Sequence, residues 1–538
     1  MSLWIFTPEQ IREIEKAAVD AGYTVNQMMQ DAGREIAARA VSMLDGISSP
    51  RITVLVGKGN NGGDGLVAAA LLSQMLPDSQ IRLYLLDRRD DDPLMQSALE
   101  HGVFAAYAED DRDGRVAKHV TASADLLIDA LFGIGVRLPL RDTAQRTLRH
   151  VRQALTERTS ARRANLSIDP TAPAQVMRPT VRVLAVDCPS GVDALTGECD
   201  AVTLTADETM TFIGAKPGLL TRDAVRKAGS LTIVPLNLPD SVKPSVFASG
   251  TLLDNETVRN LLPARPSDSH KGTYGRVLVI AGSERFSGAA GLAALGAYRI
   301  GAGLVEIAAP APVARSLQGG LLEPIWLPLG DDPLDDTLRN SIAASDVVLI
   351  GPGMGGSALA VDRTLAVLSH VRETYPALPL VLDADALNAL AGVGAWANLL
   401  PKHAVITPHP GEMARLLGVT TPDIQRDRFT SASNAAESGA VCVLKGAHTL
   451  IAAANKPVRV SPFKTDALAK AGTGDVLAGA IAGLIAQGLA GIDAASAAVY
   501  IHALAGTLAT RHVGAAAGVM AADVAGALPA ALGQIRAG

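Results

Sequence analysis

Short apolar runs alternate with longer amphipathic stretches along the whole chain. In the first half, β-branched and aliphatic residues dominate positions 52–56, 81–86, 126–130 and 181–186. Stretches whose apolar positions follow helical spacing lie between these runs. Because parallel strands are buried on both faces and need long crossover connections, this alternation predicts a parallel sheet with helices packed against it.

A second series of apolar runs follows at positions 277–281, 347–350, 378–382, 404–406 and 441–444. Between the two series, segment 235–249 contains three prolines and keeps no regular period, which is typical of a domain boundary. The chain has 538 residues, whereas a single core stops growing near ~250–300 residues. We therefore predict an α/β protein with two domains, residues 1–240 and 241–538, the first a Rossmann-like three-layer α/β/α domain.

Two segments interrupt this pattern. Residues 157–180 mix Arg, Ser, Ala and Pro without a clear period, which predicts a surface insertion or mobile loop to which we assign no function. Residues 476–491 are apolar and uncharged, but the run is shorter than the ~20 residues of a membrane-spanning helix. We expect this run to form a buried core helix, and we expect no membrane partner.

Composition narrows the classes of function. The net charge of −6 provides no general attraction for nucleic acid, so no nucleic-acid partner is expected. Three cysteines, Cys188, Cys199 and Cys442, are too few and too scattered for a disulfide framework or a Cys-rich metal site. The first residues contain no basic segment leading into a long apolar run, as a secretory signal would. We expect a cytoplasmic protein.

A glycine-rich segment, GKGNNGGDG, follows the first predicted strand and precedes a helix that we expect to begin at Leu66. Backbone N–H groups in such a turn, together with the positive end of a helix, form an anion cradle. The segment is neither a Walker A motif, in which Lys follows the last Gly, nor a GxGxxG fingerprint. A plain turn with a helix cap is the alternative, although two adjacent Asn residues and an Asp exceed what a turn requires.

Two further strands of the first half end in the polar loops DALFGIG and DCPSGVD, which begin at Asp129 and Asp187. Ligands of open α/β sheets bind at the carboxyl edge of the strands, so all three loops should meet there. Oxygen atoms of Asn61, Asp129 and Ser190 could coordinate a hard cation, which leaves Asp187 as a candidate general acid/base. Alternatively, Asp129 and Asp187 only cap the ends of their strands.

The combination of GNNGGDG, DALFGIG and VDCPSGVD resembles the YjeF N-terminal domain, the NAD(P)HX epimerase, over roughly residues 8–235. The resemblance implies that Asp187 moves protons at the hydrated nicotinamide ring and that K⁺ is bound by Asn61, Asp129 and Ser190. It also implies substrate binding by Asp187 and by two loops, namely Asn60, Asn61, Gly62, Gly63, Asp64, Gly133, Ile134, Gly135, Val136, Arg137, Leu138 and Pro139.

In the second half, the sequence AKAGTGD opens an apolar, Gly/Ala-rich helical stretch. Its glycines let a phosphate approach the main chain, and the helix N-terminus compensates the phosphate charge. Asp475 is placed to take a proton from a hydroxyl nucleophile, so the motif predicts phosphoryl transfer to a hydroxyl. For this motif alone, a Gly-rich turn in which Asp475 caps a core helix is the alternative.

Five more loops of this half follow predicted strands: GSERFSGAA, GPGMG, DADA, TPHPGE and KGAHT. Because each lies at the carboxyl end of a strand, we expect the loops to converge. Lys445 of KGAHT would then reach a nucleotide phosphate or ribose. Taken singly, Lys445 is more simply a solvated strand end and His409 a satisfied loop histidine.

GPGMG, TPHPGE, KGAHT and AGTGD together resemble the ribokinase-like superfamily and, within it, the ADP-dependent NAD(P)HX dehydratases, over about residues 250–535. The resemblance implies a ribokinase-like α/β domain in which Asp475 deprotonates the C6 hydroxyl for phosphorylation by ADP, with Mg²⁺ accompanying the nucleotide. Loss of phosphate then yields NAD(P)H, AMP and phosphate. The implied substrate contacts are Ala289, Gly353, His409 and Asp475, and the implied nucleotide contacts are Lys445, Gly446, Ala447, His448, Thr449 and Gly474.

The two resemblances together imply a bifunctional repair enzyme that epimerises R- and S-NAD(P)HX and dehydrates the S form. Its partners would be NADHX, NADPHX and ADP, and it would be a homo-oligomer. An ordinary kinase for a sugar or vitamin precursor is the alternative enzyme, because AGTGD would serve that reaction equally well. A binding scaffold without turnover is the alternative for the first half, and the presence of Asp187 argues against it.

Overall fold

The computed structural model describes residues 3–89, 91–160 and 180–538. The described residues form two compact units, Leu3–Ser249 and Gly250–Gly538. Each unit is built from a largely parallel sheet and the helices that connect its strands, as the alternating apolar runs predict.

The division between the units falls between Ser249 and Gly250, whereas the sequence places it after position 240. The proline-containing segment does not hang free as a linker, because its apolar side chains pack on the first unit. Leu236, Leu238 and Phe247 lie against the core of that unit, and the backbone N–H of Ser249 donates to the carbonyl of Ile5. This burial keeps the segment within the first unit up to Ser249.

The first unit contains eight strands and seven helices within the described residues. The strands are β1 (Leu3–Ile5), β2 (Arg51–Val56), β3 (Gln80–Leu85), β4 (Phe104–Tyr107), β5 (Leu126–Ala130), β6 (Arg182–Val186), β7 (Glu208–Phe212) and β8 (Ser230–Val234). The helices are α1 (Pro8–Asp20), α2 (Val25–Met43), α3 (Asn60–Met75), α4 (Pro93–Glu100), α5 (Arg115–Ala122), α6 (Asp142–Ser160) and α7 (Ala224–Lys227).

Seven of these strands form one parallel sheet in the order β4-β3-β2-β5-β6-β7-β8. Alternate residues of β2 face opposite layers, as a strand requires. Val54 and Val56 belong to a core that includes Ile36 of α2, whereas Leu55 belongs to a second core with Leu148 of α6. The unit is therefore the three-layer α/β/α domain that the sequence predicts.

Helix α3 begins at Asn60, not at Leu66 as the sequence predicts, so the motif NNGGDG forms its first turns. The glycines allow this early start because the helix lies very close to the strands. A Cβ atom on Gly65 would be 2.7 Å from Cβ of Ala130, and one on Gly62 would clash with the carbonyl of Gly57. The amides of the motif therefore belong to a helix N-terminus.

The first residues of the predicted insertion at 157–180 are helical. Helix α6 continues to Ser160, because Val151 and Ala154 are buried in the core and Arg158 donates to the carbonyl of Ala122 at 2.8 Å. The remainder of the predicted insertion, 161–179, lies outside the described residues.

The second unit contains ten strands and twelve helices within the described residues. The strands are β9 (Gly250–Leu252), β10 (Arg276–Ile280), β11 (Leu304–Pro310), β12 (Ile325–Leu329), β13 (Val347–Ile350), β14 (Leu380–Leu382), β15 (Ala404–Ile406), β16 (Val441–Leu444), β17 (Leu450–Ala452) and β18 (Val458–Val460). The helices are α8 (Asn255–Leu261), α9 (Ser287–Ile300), α10 (Ala311–Leu317), α11 (Asp336–Ala343), α12 (Ala358–Thr374), α13 (Asp385–Ala391), α14 (Pro410–Leu417), α15 (Thr421–Arg426), α16 (Arg428–Ala436), α17 (Thr473–Ala486), α18 (Gly491–Val513) and α19 (Ala521–Ala537).

These ten strands follow the order β9-β18-β17-β16-β15-β14-β13-β10-β11-β12. The sequence predicts a parallel sheet, but β17 is antiparallel to both of its neighbours. The connection between β16 and β17 spans only residues 445–449, and a parallel connection needs a dozen or more residues. The KGAHT motif is therefore the tight loop of a hairpin.

Helices α17 and α18 form the centre of the helical layer. Every residue of α17 from Val476 to Ala486 is buried, which confirms the predicted core helix over these residues, whereas residues 487–490 connect α17 to α18. Helix α18 is long and apolar enough to cross a membrane by length and composition alone, but 83% of its most apolar window is buried inside the fold. That burial is the pattern of a core helix.

Candidate active sites

A cavity of about 970 Å³ opens in the first unit at the carboxyl ends of β2, β5 and β6. These three strands are adjacent and parallel, so their ends share one edge of the sheet. The cavity is lined by most of the residues that the sequence predicts for substrate binding, namely Asn60, Asn61, Asp64, Asp187 and residues 133–139.

Asp187 follows β6 with its backbone in the left-handed region, at a φ of 63°. For a residue other than glycine this conformation costs ~1–3 kcal/mol and is concentrated at functional sites. Oδ2 accepts a hydrogen bond from the backbone N–H of Ile134 at 3.2 Å. Oδ1 accepts one from Nζ of Lys216 at 2.6 Å. The carboxylate is thus fixed at the cavity wall by a cation and a loop amide.

Sequence reasoning missed Lys216, although it follows β7 at the same sheet edge. Its side chain is fully buried, and Nζ also contacts Oγ1 of Thr211 at 2.7 Å and the carbonyl of Phe212 at 3.1 Å. A buried ammonium requires a charged partner, and Asp187 is that partner. The available signal was a lysine in the loop after a strand, in the half of the chain that also contains strand-end aspartates.

Asp129 and Ser190 do not line the cavity but lie buried behind its loop. Oδ1 of Asp129 accepts from Oγ of Ser190 at 2.6 Å, and Oδ2 accepts from the backbone N–H of Ser190 at 2.9 Å. Burial raises the pKa of Asp129, against the hydrogen bonds from Ser190, which lower it. The two predicted cation ligands are therefore in direct contact.

The third predicted cation ligand, Asn61, has a buried amide with no hydrogen-bond partner among the described residues. A Cβ atom on Gly133 would be 2.8 Å from Oδ2 of Asp187 and 3.3 Å from Oδ1 of Asn61, so both side chains face this glycine. An unpaired buried amide is costly and rare in folded proteins. The Asn61 amide therefore favours a site completed by a ligand or a cation.

Gly62 and Gly63, which the resemblance assigns to the substrate, are buried in α3 and do not line the cavity. A Cβ atom on Gly63 would lie 2.6 Å from Sδ of Met29. Both glycines serve the close packing of the first turn of α3, which in turn presents Asn61 and Asp64 to the cavity.

Apart from the buried Lys216, the basic groups of the cavity lie on its exposed side. Burial, followed by the charges of Asp187 and Glu15, raises the pKa of Asp64 well above its ordinary value. Four exposed cationic side chains also line the cavity: Arg12, Lys58, Arg137 and Arg141. The interior therefore suits proton transfer, and its exposed rim suits an anionic group such as a phosphate.

In the second unit, the ends of β14, β15 and β16 bring four ionisable side chains together. Nζ of Lys445 lies 2.7 Å from Oδ1 of Asp383 and 3.8 Å from Oε2 of Glu412. Nε2 of His409 lies 3.2 Å from Oε1 of Glu412. Burial lowers the pKa of Lys445, but the carboxylates of Asp383 and Glu412 outweigh it, so the pKa is raised. Lys445 is a paired cation of the site, not a solvated strand end.

His409 is the N-cap of α14. Its Nδ1 accepts hydrogen bonds from the backbone N–H groups of Gly411 at 3.0 Å and Glu412 at 3.3 Å, which assigns the proton of the neutral ring to Nε2. Burial and the charge of Lys445 lower the pKa of His409. Both ring nitrogens therefore have partners, because Nε2 also lies 3.2 Å from Oε1 of Glu412, and the substrate contact of His409 stays a prediction.

Asp475 is the third residue of α17, whose N-cap is Gly472 in the left-handed conformation. Asp475 is therefore not the helix cap. Burial, followed by the charge of Asp383, raises the pKa of Asp475 to about 7, although Lys445 lowers it. A Cβ atom on Gly474 would lie 3.5 Å from Nζ of Lys445, so the AGTGD turn and the KGAHT loop adjoin each other as predicted.

The GPGMG loop joins the same site. The backbone N–H of Gly355 donates to Oδ2 of Asp385 at 2.8 Å. Gly353 has a φ of 62°, and a Cβ atom on it would lie 2.7 Å from Cβ of Ala289. The predicted substrate contacts Ala289 and Gly353 are thus neighbours, and the positive φ explains the glycine.

A buried arginine supports the KGAHT loop from inside, and sequence reasoning missed it. Nη2 of Arg428 donates to the carbonyls of Leu444 at 3.1 Å, Lys445 at 3.3 Å and His448 at 3.3 Å. Nδ1 of the buried His448 lies 2.9 Å from the carbonyl of Ser461. The predicted nucleotide loop therefore turns the His448 ring inward, while Gly446 and Ala447 are exposed.

Comparison with known proteins gives two family matches. Residues 25–218 match the family of YjeF-related protein N-termini, and residues 277–530 match the family of NAD(P)H-hydrate dehydratases. Together the two matches cover both candidate sites.

Among curated relatives, the bifunctional NAD(P)H-hydrate repair enzyme Nnr of Coxiella burnetii is 34% identical over 97% of this chain and 97% of its own length. Nnr of Escherichia coli is 32% identical over 97% of this chain and 92% of its own length. The crystal structure of the ADP/ATP-dependent NAD(P)H-hydrate dehydratase from Bacillus subtilis, co-crystallised with ATP/Mg²⁺, aligns with 52% of this chain and 97% of its own at 32% identity and a TM-score of 0.45. On the full-length relatives, this chain belongs to the family of bifunctional NAD(P)H-hydrate repair enzymes.

Proposed function

We propose that the Asp187 cavity in Leu3–Ser249 epimerises R- and S-NAD(P)HX and that the Asp475 site in Gly250–Gly538 dehydrates the S form. Membership of the family supports the two activities. The observation that carries the residue assignment is that each unit gathers its sequence motifs at one sheet edge, where Asp187 lines the cavity of the first unit and Asp475 lies among the charged groups of the second.

In the first unit, Asp187 acts as the general acid/base at C6 of the hydrated ring. Its carboxylate already has two fixed partners, Lys216 and the N–H of Ile134, so its orientation is set before substrate binds. The exposed cations Arg12, Lys58, Arg137 and Arg141 line the same cavity and suit the diphosphate of a dinucleotide. The loop 133–139 and Asn60 provide the remaining substrate contacts.

The residues Asn61, Asp129 and Ser190 fit a K⁺ ion. They offer amide, carboxylate and hydroxyl oxygens, which are the ligands that hard cations prefer. The unpaired amide oxygen of Asn61 and the fully buried carboxylate of Asp129 would both be stabilised by a cation. The ion would supply positive charge next to the substrate loop, while Ser190 and Asp129 hold that loop through the N–H groups of Phe132 and Leu131.

In the second unit, Asp475 takes the proton of the C6 hydroxyl, and the oxygen of that hydroxyl attacks the terminal phosphorus of ADP. A pKa of about 7 suits a general base near neutral pH. The C6–O bond of the new phosphate ester then breaks, so that phosphate leaves from C6 and a proton leaves from C5. The products are NAD(P)H, AMP and phosphate. His409 and the Ala289–Gly353 wall contact the ring, and Lys445 with the exposed Gly446 and Ala447 binds the nucleotide.

The described residues contain no cluster of three His, Cys, Asp or Glu side chains that would hold a metal by itself. A Mg²⁺ ion that arrives with the nucleotide is commonly bound through phosphates and one or two carboxylates, and Asp383 and Asp385 are the acidic strand-end residues near that position. The ion would neutralise phosphate charge, while Lys445 and the N-terminus of α17 do the same from the protein side.

One experiment tests the assignment as a whole. The purified chain is incubated with mixed NADHX epimers and ADP, ATP or no nucleotide, and recovery of dihydronicotinamide absorbance is followed. Complete, nucleotide-dependent recovery of both epimers supports two working sites. Recovery limited by the spontaneous epimerisation rate would contradict the epimerase assignment, and a stable phosphate ester in place of free phosphate would identify an ordinary kinase.

The remaining proposals concern the cellular compartment and the oligomeric state of the protein. Cys188, Cys199 and Cys442 are all free thiols, which supports a reducing compartment and hence the expected cytoplasmic location. A homo-oligomer rests on the family resemblance, and light scattering of the purified chain measures it.

A further inference from the structure

Glu15 is a carboxyl group that no sequence motif includes and that precedes the family match at 25–218. It lines the same cavity as Asp187 but comes from helix α1. The helix presents Glu15 there because the adjacent Ile14 and, one turn later, Ala18 are buried in the core. The cavity therefore carries carboxyl groups from two separate elements.

The charged surroundings of these two carboxyl groups differ. Asp187 forms an ion pair with Lys216. Burial, followed by the charge of Asp187, raises the pKa of Glu15, while Lys216 and Arg12 act in the opposite direction. Asp64 is the other acidic group that faces them. The cavity thus holds one carboxyl group that is paired with a buried ammonium and a second one without an ion pair among the described residues, and such a pair can divide the roles of acid and base.

We propose that Glu15 is a second catalytic acid/base of the epimerase site and acts on the same C6 hydroxyl as Asp187. The inference rests on the proposed epimerase function of this cavity. Epimerisation at C6 has to remove a hydroxyl in one configuration and restore it in the other, so it needs a proton donor and a proton acceptor in each direction.

The step balances without an oxidant or a reductant. Glu15 gives its proton to the C6 oxygen, the C6–O bond breaks with its electron pair on the departing water, and the N1 lone pair forms a C6=N1 iminium. A second water adds to C6, the iminium pair returns to N1, and the excess proton of that water passes to Asp187. In the reverse direction Asp187 donates the proton and Glu15 accepts it.

Asp64 is the competing candidate, because it also lines the cavity. Its pKa is raised well above the ordinary value by burial and by the charges of both Asp187 and Glu15. A carboxyl that holds its proton so firmly suits a fixed hydrogen-bond donor to the substrate more than a group that exchanges protons in each turnover. Asp64→Asn is therefore expected to raise KM more than it lowers kcat.

The test compares Glu15→Gln with Glu13→Gln, an exposed glutamate of the same helix that does not line the cavity. Epimer interconversion of NADHX is measured for the full chain without nucleotide, and thermal unfolding verifies the fold. Glu15→Gln is expected to lower kcat by ~100-fold or more, the usual contribution of a general acid or base, with KM nearly unchanged. Glu13→Gln is expected to match the wild type.

In H₂¹⁸O, wild-type turnover should place ¹⁸O at C6 at the rate of epimerisation, after subtraction of the reaction without enzyme. A kcat for Glu15→Gln within about tenfold of the wild type, or retention of ¹⁶O at C6, would overturn the proposal while leaving the epimerase function intact. If Glu15→Gln unfolds, Glu15→Asp is judged by the same limits. A wild type that does not interconvert the epimers would instead refute the underlying function.

Discussion

Nζ of the fully buried Lys216 lies 2.6 Å from Oδ1 of Asp187. This ion pair ties the proposed chemistry of the first unit to its stability, because removal of one partner leaves an uncompensated buried charge that costs ~3–5 kcal/mol. A loss of activity in an Asp187 variant therefore has two separable causes, a missing proton carrier and a destabilised fold.

Asp187→Ala is expected to abolish epimer interconversion and to lower the thermal stability of the first unit. The double variant Asp187→Ala/Lys216→Met removes both charges and should recover most of the lost stability without recovering activity. Calorimetry and an epimerisation assay measure the two effects. Dehydration of purified S-NADHX should stay intact in both variants, and epimerisation that survives in either one would remove Asp187 from the catalytic role.

Gly133→Ala is expected to impair epimerisation through a steric effect alone. The new Cβ would lie 2.8 Å from Oδ2 of Asp187 and 3.3 Å from Oδ1 of Asn61, so both side chains have to shift. A misplacement of ~1 Å at a catalytic group can cost ~100-fold in rate. Gly135→Ala, whose Cβ would meet no atom within 4 Å, should have a much smaller effect on kcat. Equal kcat values for the two variants would argue against this geometry.

Strand positions and sheet edges were largely predictable from the sequence. The strands Leu126–Ala130, Val347–Ile350, Ala404–Ile406 and Val441–Leu444 coincide with predominantly apolar runs, because parallel strands that are buried on both faces are mostly apolar. The motifs that end these strands meet as expected, since the carboxyl ends of neighbouring parallel strands share an edge.

The parts that sequence reasoning missed depend on close packing and on contacts between distant segments. Helix α3 begins at Asn60, six residues before the predicted start at Leu66, because its glycines allow contact with β2 and β5 that local propensity does not encode. Glu15 has no motif, since only the tertiary fold brings α1 to the cavity. Arg428 precedes the loop it supports by one helix and one strand.

The rate of S-NADHX dehydration is expected to rise with pH through about 7 and then level off. Asp475 acts as a base, so only its ionised form is active, and its pKa is raised to about 7 by burial and by Asp383. Below that pH the rate should follow the ionised fraction of Asp475. Initial rates at saturating nucleotide and substrate between pH 5 and pH 9 measure the profile. A rate that is flat across pH 7 would contradict the assignment of Asp475 as the base.

Asp475→Asn is expected to stop dehydration and to stabilise the second unit above neutral pH. The folded-state pKa of Asp475 is raised to about 7 from an ordinary value of 3.8, so stability is lost as pH rises through that interval. A neutral Asn avoids this loss, so the gain in Tm should grow from pH 4 to pH 7 and then stay constant. Nucleotide binding should be largely preserved in calorimetry. Turnover by this variant would refute the base role.

Arg428→Met is expected to raise the KM for nucleotide by ~10-fold or more while changing kcat less. The reason is that the lost support weakens nucleotide binding equally in the ground state and in the transition state. The guanidinium of Arg428 donates to the carbonyls of Leu444, Lys445 and His448, and the apolar Met removes these three hydrogen bonds. Arg426→Met is the matched control, because Arg426 is exposed and pairs only with Asp423 among the ion pairs of the described residues. Epimerisation should be unaffected in both variants. A nucleotide KM that is the same for the two variants would show that the loop holds its shape without Arg428, and the carbonyl contacts would then be incidental to nucleotide binding.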